Sequence, residues 1–209
     1  MGRADITRQK ILAAAEAAFA EKGLYGARID EIAQSADANK RMIYAYYGSK
    51  ELLYIAVLEE VYRRMAVQEK ELLDRPMGCE EAVRAIIGHY FRFLRDNHTF
   101  VKMVLWENLN EATYFRQSQA QFIKGTVLEL LREKLKQGVR EGIFFAGLDV
   151  DETVLSVNMF CFSYFSNQYT MAQIMKVDFQ DPMVFQKRCD HVTDLLMTYL
   201  LQEKGTISQ

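Results

Sequence analysis

The sequence predicts an all-α protein of about nine helices. Apolar residues recur at spacings of three and four along nearly all of the 209 residues, and no stretch sustains the alternation of apolar and polar residues that marks a strand. Only two prolines, Pro76 and Pro182, interrupt the chain. Half of the residues are hydrophobic, so a sizeable core can form.

Three short helices and one long helix are expected in the first part of the chain. Thr7 is a suitable cap for the first helix, and Gly23 is a typical stop. The second helix is predicted over 29–35 and the third over 40–47. The fourth begins after Ser49 and runs to about Leu73.

Five further helices are expected after the break around Pro76. The apolar pattern predicts them over about 80–96, from Asn97 to 109, and from about 114 to 142. Asp149, with Glu152 three residues later, forms a capping box for the eighth. Asp181 followed by Pro182 marks the start of the ninth.

The charge balance differs between the two ends of the chain. The first 50 residues carry eight Lys and Arg against six Asp and Glu, whereas the remainder carries eighteen against twenty-two. A mildly basic amino-terminal segment suits a polyanion such as nucleic acid, although the excess is too small to distinguish this from a solvated surface.

Cysteine usage and hydropathy indicate the compartment. Three cysteines, an odd number without close pairing, and no signal peptide favour a reducing cytoplasm. The longest apolar stretches fall short of the roughly 20 residues needed to cross a bilayer, so no membrane segment is expected.

No catalytic or metal-binding motif is found. The three histidines are scattered, and none has a cysteine at the spacing of a zinc site. A glycine-rich phosphate loop and a nucleophile motif are also missing from the sequence. We therefore expect no metal, no cofactor and no enzymatic activity.

Residues 32–53 have the pattern of a helix-turn-helix: a short helix, a turn of three to four residues and a second short helix. Ile32, Ala33, Ile43 and Tyr47 fall where the two helices would pack together. The sequence therefore predicts a DNA-binding unit near the amino terminus.

The second helix of this motif carries the residues expected to read bases. Asn39 is a good N-cap, which leaves Lys40, Arg41 and Met42 exposed on the first turn. Lys40 or Arg41 is suited to guanine O6 and N7, and Met42 to a thymine methyl group. Lys50 lies at the start of the fourth helix, where backbone amides favour a phosphate.

The tyrosines of this segment admit two interpretations. Tyr44 and Tyr46 place hydroxyl groups one turn beyond Lys40 and Arg41, where they can position DNA. Spacing alone favours the other interpretation, in which Tyr44, Tyr46 and Tyr47 are core aromatics.

A longer pattern at fixed spacing covers residues 11–57. Its members are Phe19, Gly23, Gly26, Ile29, Ile32-Ala33, Ala36, Lys40, Ile43-Tyr44, Tyr46-Tyr47 and Ser49-Lys50-Glu51-Leu52-Leu53. This pattern resembles the TetR/AcrR family of transcription regulators. It favours a DNA role for Tyr44 and a core role for Tyr47, and leaves Tyr46 open.

This resemblance implies a helix-turn-helix domain over 1–50, a linking fourth helix over about 50–73, and an effector-binding and dimerisation domain over 51–209. The expected DNA contacts are Arg28, Asn39, Lys40, Arg41, Met42, Tyr44, Tyr46 and Lys50.

Five positions depart from the family pattern, two of them being Asn39, which replaces serine and keeps the cap, and Arg41, which stands where the family often has a small residue. Arg28 replaces the usual capping threonine and can instead reach a phosphate. Asp37 replaces the turn glycine, and Asp tolerates a left-handed backbone better than most residues. Gly48 replaces a common proline before the fourth helix.

A small-molecule site is expected among the later helices. Polar residues on otherwise apolar helix faces are its candidates, although a neighbouring group satisfies such residues more often than a ligand does. The candidates are Trp106, Glu107, Asn108, Asn158, Tyr164 and Asn167. The many Met and Phe residues indicate an adaptable, largely apolar pocket.

The last two helices are expected to form a homodimer interface. The eighth predicted helix is apolar nearly all round, so it needs cover on more than one side, and pairing it with the ninth across a twofold axis makes a four-helix bundle. The predicted interface residues are Phe162, Phe165, Phe185, Cys189, Val192, Leu196 and Tyr199.

We expect a dimer that binds a roughly palindromic double-stranded DNA operator and is released by an effector. An activator of the same architecture, a helical protein-interaction module without DNA binding, and an all-helical enzyme are the alternatives.

Overall fold

The computed structural model describes residues 2–201, and the regular secondary structure of these residues is entirely helical. The ten α-helices within these described residues are α1 (Arg3–Gly26), α2 (Ile29–Ser35), α3 (Lys40–Tyr47), α4 (Lys50–Leu73), α5 (Cys79–Asp96), α6 (His98–Leu109), α7 (Ala120–Arg140), α8 (Val150–Ser166), α9 (Gln168–Met175) and α10 (Pro182–Leu200). A 3₁₀ turn at Phe115–Gln117 precedes α7. Within the described residues, no helix is both long enough and apolar enough to cross a membrane.

The predicted helices are confirmed, with four differences. α1 begins four residues before Thr7, with Gly2 as its N-cap. Gly23, the predicted stop, has a φ of 66° and kinks α1, which continues to Gly26. α7 begins at Ala120 rather than near Tyr114. α9 is a short helix that the sequence pattern did not predict. Asn167 precedes it, but the Asn167 side chain donates hydrogen bonds to Ser163 and Ser166 and does not cap α9.

The first compact unit consists of residues up to 65 together with 97–124. It therefore contains the helix-turn-helix and also α6, whereas the sequence places the functional boundary near residue 50, which stays a prediction. In this unit α1 packs against α2 and α6, and α2 packs against α3. Its fully buried side chains include Ile11, Phe19, Ile32, Ile43 and Tyr54.

A buried carboxylate joins α1, α4 and α6 in the first unit. Glu16 accepts hydrogen bonds from the Arg64 guanidinium at 2.8 and 3.2 Å and from the Thr99 hydroxyl. Burial acting alone would raise the pKa of Glu16, but these hydrogen bonds and the Arg64 charge outweigh it and lower the pKa. Glu16 is therefore ionised at neutral pH and holds the three helices together.

The second compact unit consists of 66–96 and of the described residues from 125 onward. Here α5 packs against α8 and α10, and α8 contacts α9 and α10. Phe91 lies at the centre of an aromatic cluster, with ring centroids 6.0 to 6.1 Å from those of Tyr164, Phe165 and Phe185. Aromatic pairs at this separation add to the stabilisation that burial provides.

Gly138 of α7 is expected to be intolerant of a side chain. A Cβ atom there would lie 2.2 Å from Cδ2 of the buried Phe144 ring. Gly138→Ala should therefore lower the free energy of unfolding by about 1–3 kcal/mol through overpacking, measured by urea denaturation.

Gly125 of the same helix is the matched control, since a Cβ atom there meets nothing within 4 Å. Gly125→Ala should raise stability by about 0.5–1 kcal/mol because alanine favours the helix. Equal changes in stability at both positions would show that the contact with Phe144 does not make Gly138→Ala destabilising.

Candidate functional site

The helix-turn-helix is shaped by three local features. Asp37 in the turn adopts a φ of 50°, as expected for the residue that replaces glycine. The Asn39 side chain accepts a hydrogen bond from the Met42 amide at 2.9 Å and so caps α3. Gly48, with a φ of 82°, ends α3 in a conformation that disfavours any other residue.

One face of α3 is buried and the opposite face is exposed. Ile43 is fully buried, whereas Arg41, Tyr44 and Ala45 are exposed. With 100° of rotation per residue, Arg41 and Ala45 lie near the middle of the exposed face, one turn apart. This is the geometry that a recognition helix needs in a major groove.

The two flanks of this exposed face differ in their surroundings. Met42 and Tyr46, one turn apart, form one flank, and Lys40 and Tyr44 form the other. Lys40 forms an ion pair with Asp30 of α2, with an Nζ to Oδ1 distance of 3.0 Å. Both side chains are exposed, so replacing this pair by a DNA contact costs little.

Ala45 is a candidate contact that sequence reasoning missed. It lies beside Arg41 on the exposed face, and its single methyl group lets a partner approach the helix closely. The signal in the sequence is its position four residues after Arg41, although a methyl group offers no hydrogen bond that would mark it as a DNA contact.

The remaining predicted DNA-binding residues frame α3. Lys50 is the first residue of α4, where the Ser49 hydroxyl accepts a hydrogen bond from the Leu52 amide at 3.1 Å. Arg28 precedes α2 as its N-cap, is exposed, and makes no capping hydrogen bond with its side chain. Both cations therefore lie next to elements of the motif, as expected of residues that hold phosphates.

Three of the predicted effector contacts lie in the first unit, and all have partners within the chain. Trp106 Nε1 donates to the Ala20 carbonyl at 3.2 Å, and its indole ring covers Gly23, whose φ is 66°. The Asn108 side chain donates to the Val104 carbonyl, one turn earlier.

Glu107 is the most buried of the three, with 4 % of its surface exposed. Its Oε2 atom accepts hydrogen bonds from the backbone amides of Tyr114 and Phe115 at 3.1 and 2.8 Å. Burial, together with the Glu107 charge, raises the pKa of the Tyr54 hydroxyl. Glu107 thus anchors the segment after α6, which also explains why α7 starts later than expected.

The other three predicted effector contacts lie in the second unit. Asn158 donates to the Val154 carbonyl at 2.8 Å, Tyr164 to the Phe179 carbonyl at 3.1 Å, and Asn167 to the Ser163 carbonyl at 3.1 Å. A role for these residues in effector binding stays a prediction. The argument that these polar groups need a ligand no longer supports it, because neighbouring groups satisfy them.

A different polar pair lies in the interior of the second unit. Glu69 is 0 % exposed and forms a hydrogen bond with the buried Tyr90, whose pKa is raised by burial and by the Glu69 charge. The signal was in the sequence, because Glu69 continues the apolar stripe of Met65, Ala66 and Leu73 along α4.

The predicted dimer residues stay a prediction, and most of them already have cover within the single chain. Five of the seven are buried there and leave little surface for a second subunit: Phe165, Phe185, Cys189, Val192 and Leu196. They cover the core of their own unit, as the contacts of Phe165 and Phe185 with Phe91 illustrate. The sequence pattern marks both faces of an apolar helix and does not say which one faces inward.

Other apolar side chains of α8 and α10 remain exposed. Leu155 and Met159 follow one stripe of α8 with the half-buried Phe162, and Leu195 and Tyr199 follow one stripe of α10. Exposed apolar residues aligned along one side of a helix are candidates for an interaction surface. We call these five residues the outer apolar face.

Comparison with known proteins identifies the family. Residues 11–57 match the family model described as bacterial regulatory proteins, tetR family. Residues 80–196 match the model described as tetracyclin repressor-like, C-terminal domain. The two matches cover the helix-turn-helix and most of the remaining helices.

Individual relatives agree with these models. The chain is 31% identical over 196 residues to the HTH-type transcriptional repressor NicS of Pseudomonas putida, which covers 93% of this chain and 92% of that protein. The HTH-type transcriptional repressor SCO4008 of Streptomyces coelicolor is 37% identical over 113 residues, covering 52% of this chain and 53% of that protein.

A solved structure shows the same fold at lower identity. The transcriptional regulator FadR of Bacillus subtilis, in complex with stearoyl-CoA, superimposes with a TM-score of 0.75 at 21% identity, covering 92% of this chain and 99% of that one. Because both family models match and NicS is similar over nearly the whole chain, the chain belongs to the TetR family of transcription regulators.

Proposed function

We propose that this protein is a homodimeric repressor that binds a roughly palindromic operator and leaves it when a small molecule binds to the second unit. The observation that carries the proposal is the exposed face of α3, capped by Asn39 and packed through Ile43, beside the flanking cations Arg28 and Lys50. The similarity to the repressor NicS supports repression rather than activation.

Within this proposal the side chains of the motif have different tasks. Arg41 lies near the middle of the exposed face, so we assign it to a base edge, where bidentate contact with guanine is typical. Met42, Tyr44 and Ala45 surround it and meet bases or the sugar backbone. Lys50 and Arg28 bind phosphates, as Lys40 does once it leaves Asp30.

The dimer brings two such helices to successive major grooves about one helical turn apart. We assign the subunit interface to the outer apolar face rather than to the residues buried in the core. Pairing α8 and α10 across a twofold axis would cover this face in both subunits.

The effector region is assigned to the second unit. The buried Glu69–Tyr90 pair is our first candidate for its polar contacts, because a carboxylate and a hydroxyl in an apolar interior orient a ligand well. Asn158, Tyr164 and Asn167 are the next candidates. Release from the operator by the effector requires that effector binding lowers the affinity for DNA, which is a coupling between two sites.

Two substitutions test the division of tasks on α3 and α4. Arg41→Ala should reduce the preference for the operator over random DNA by about 1–3 kcal/mol, because a base contact is lost. Lys50→Ala should weaken binding to both DNAs equally and flatten the salt dependence. Fluorescence anisotropy with DNA from upstream of the gene, at several salt concentrations, measures both effects.

Two outcomes would contradict the proposal. Equal losses on operator and random DNA for both variants would show that Arg41 does not read bases. Failure of the unaltered protein to bind any DNA at low salt would exclude DNA binding altogether. A reporter gene behind the operator separates repression from activation, since deletion of the regulator raises expression only in the first case.

A further inference from the structure

We propose that Arg8 of α1 is an additional DNA-contacting residue, held beside the recognition helix by Tyr46 and directed at a backbone phosphate of the same half-site. The inference rests on the proposed DNA binding and extends the interface beyond residues 11–57, the part of the chain that matches the DNA-binding family model.

Two contacts attach Arg8 to the last turn of α3. Its guanidinium carbon lies 5.4 Å from the centroid of the Tyr46 ring. The Tyr47 hydroxyl donates to the Arg8 backbone carbonyl at 3.1 Å. Main chain and side chain of one residue are therefore both held by α3, which places the cation at a defined position next to the recognition helix.

A cation–π contact leaves the hydrogen-bond donors of a guanidinium available. The Arg8 guanidinium carbon lies over the Tyr46 ring, and this contact engages the positive charge without using the five N–H groups as donors to a partner oxygen. Arg8 is exposed, and no carboxylate of residues 2–201 forms an ion pair with it. Its charge is thus free for an anion, and a side chain held against the ring loses less conformational freedom when it binds one.

The position of Arg8 matches the asymmetry of the α3 surface. On the flank of Lys40 the positive charge is partly neutralised by Asp30, whereas Arg8 stands without such a partner on the flank of Tyr46. A helix in the major groove lies between two phosphate backbones. Arg8 would supply the cation for one of them, and Lys40 with Arg28 for the other.

This role also answers the open interpretation of Tyr46. The ring is neither a core aromatic nor a direct base contact in this account; it is a platform that holds Arg8. A platform needs the ring and not the hydroxyl, which separates it from a tyrosine that donates a hydrogen bond to DNA.

The test is the salt dependence of DNA binding by the full-length protein, measured on upstream DNA and on a random duplex of equal length. Arg8→Ala should flatten the slope of log K against log salt by about 0.9 per half-site and weaken binding about tenfold per half-site near 0.1 M salt. Arg8→Lys keeps the charge and should retain the slope. Tyr46→Phe should behave as the unaltered protein, and Tyr46→Leu should lose part of the affinity.

Lys10→Ala is the matched control, because Lys10 is an exposed cation of the same helix about 200° around from Arg8. An unchanged slope for Arg8→Ala, or equal changes for Arg8→Ala and Lys10→Ala, would overturn the inference while leaving the proposed function intact. Loss of all DNA binding by the unaltered protein would overturn both. A defect in folding would lower the active fraction but would not change the slope.

Discussion

Glu107→Ala is expected to lower the free energy of unfolding by about 2–5 kcal/mol, because it leaves two part-buried backbone amides without their acceptor and opens a cavity at a buried position. The carboxylate accepts the amides of Tyr114 and Phe115 and faces the buried Tyr54 hydroxyl. Each unsatisfied buried group costs about 1–3 kcal/mol. Urea denaturation monitored by circular dichroism measures the loss.

The neighbouring residue provides the control. Asn108 is exposed, and its side chain donates only to the Val104 carbonyl of its own helix, so Asn108→Ala should change stability by less than about 0.5 kcal/mol. Glu107→Gln keeps an acceptor oxygen, so its loss in free energy of unfolding should lie between those of Glu107→Ala and Asn108→Ala. A loss below about 1 kcal/mol for Glu107→Ala would mean that Glu107 is not a structural anchor.

Met159→Glu is expected to convert the dimer to a monomer at micromolar concentration. Met159 is 55% exposed on the outer apolar face. Covering this face in a dimer would bury one carboxylate from each subunit without a partner, and such charges cost several kcal/mol each. The dissociation constant should rise by a factor of about 1,000 or more, as measured by analytical ultracentrifugation.

Operator binding should also weaken when the dimer dissociates, because a monomer contacts only one of the two half-sites. Met183→Glu is the control: Met183 is also highly exposed, but its position on α10 lies more than 100° from Leu195 and Tyr199. If Met159→Glu remains a dimer of unchanged strength, the interface lies elsewhere, and exposed α9 residues such as Tyr169 and Ile174 become the next surface to test.

The helix-turn-helix was predictable because its signals are local. The bounds of α2 and α3 depend on the Asn39 cap, the left-handed Asp37 and the Gly48 stop, and each acts within four residues along the chain. The start of α7 was not predictable in this way. It depends on Glu107, seven and eight residues before the amides that it captures, and no short-range pattern indicates that contact.

The candidate sites also differ in whether local signals or long-range contacts determine them. Lys40, Arg41 and Lys50 could be proposed as DNA contacts from sequence because helical periodicity and capping indicate which side of a short helix is exposed, and this role stays a prediction. The effector and dimer residues were harder, since a polar residue or an apolar stripe has the same appearance in sequence whether its partner is a neighbouring turn, another helix or another molecule. Asn158 and Phe185 turned out to have partners inside the chain.

The sequence by itself determined the helical fold, the family and the position of the recognition helix, because caps, turns and a 3.6-residue period act over one or two turns. Only the tertiary structure decided that Phe165 and Val192 face the core while Met159 faces outward, and that Arg8 lies against Tyr46. These are contacts between segments far apart in the chain, and they depend on how helices pack rather than on the preferences of any one of them.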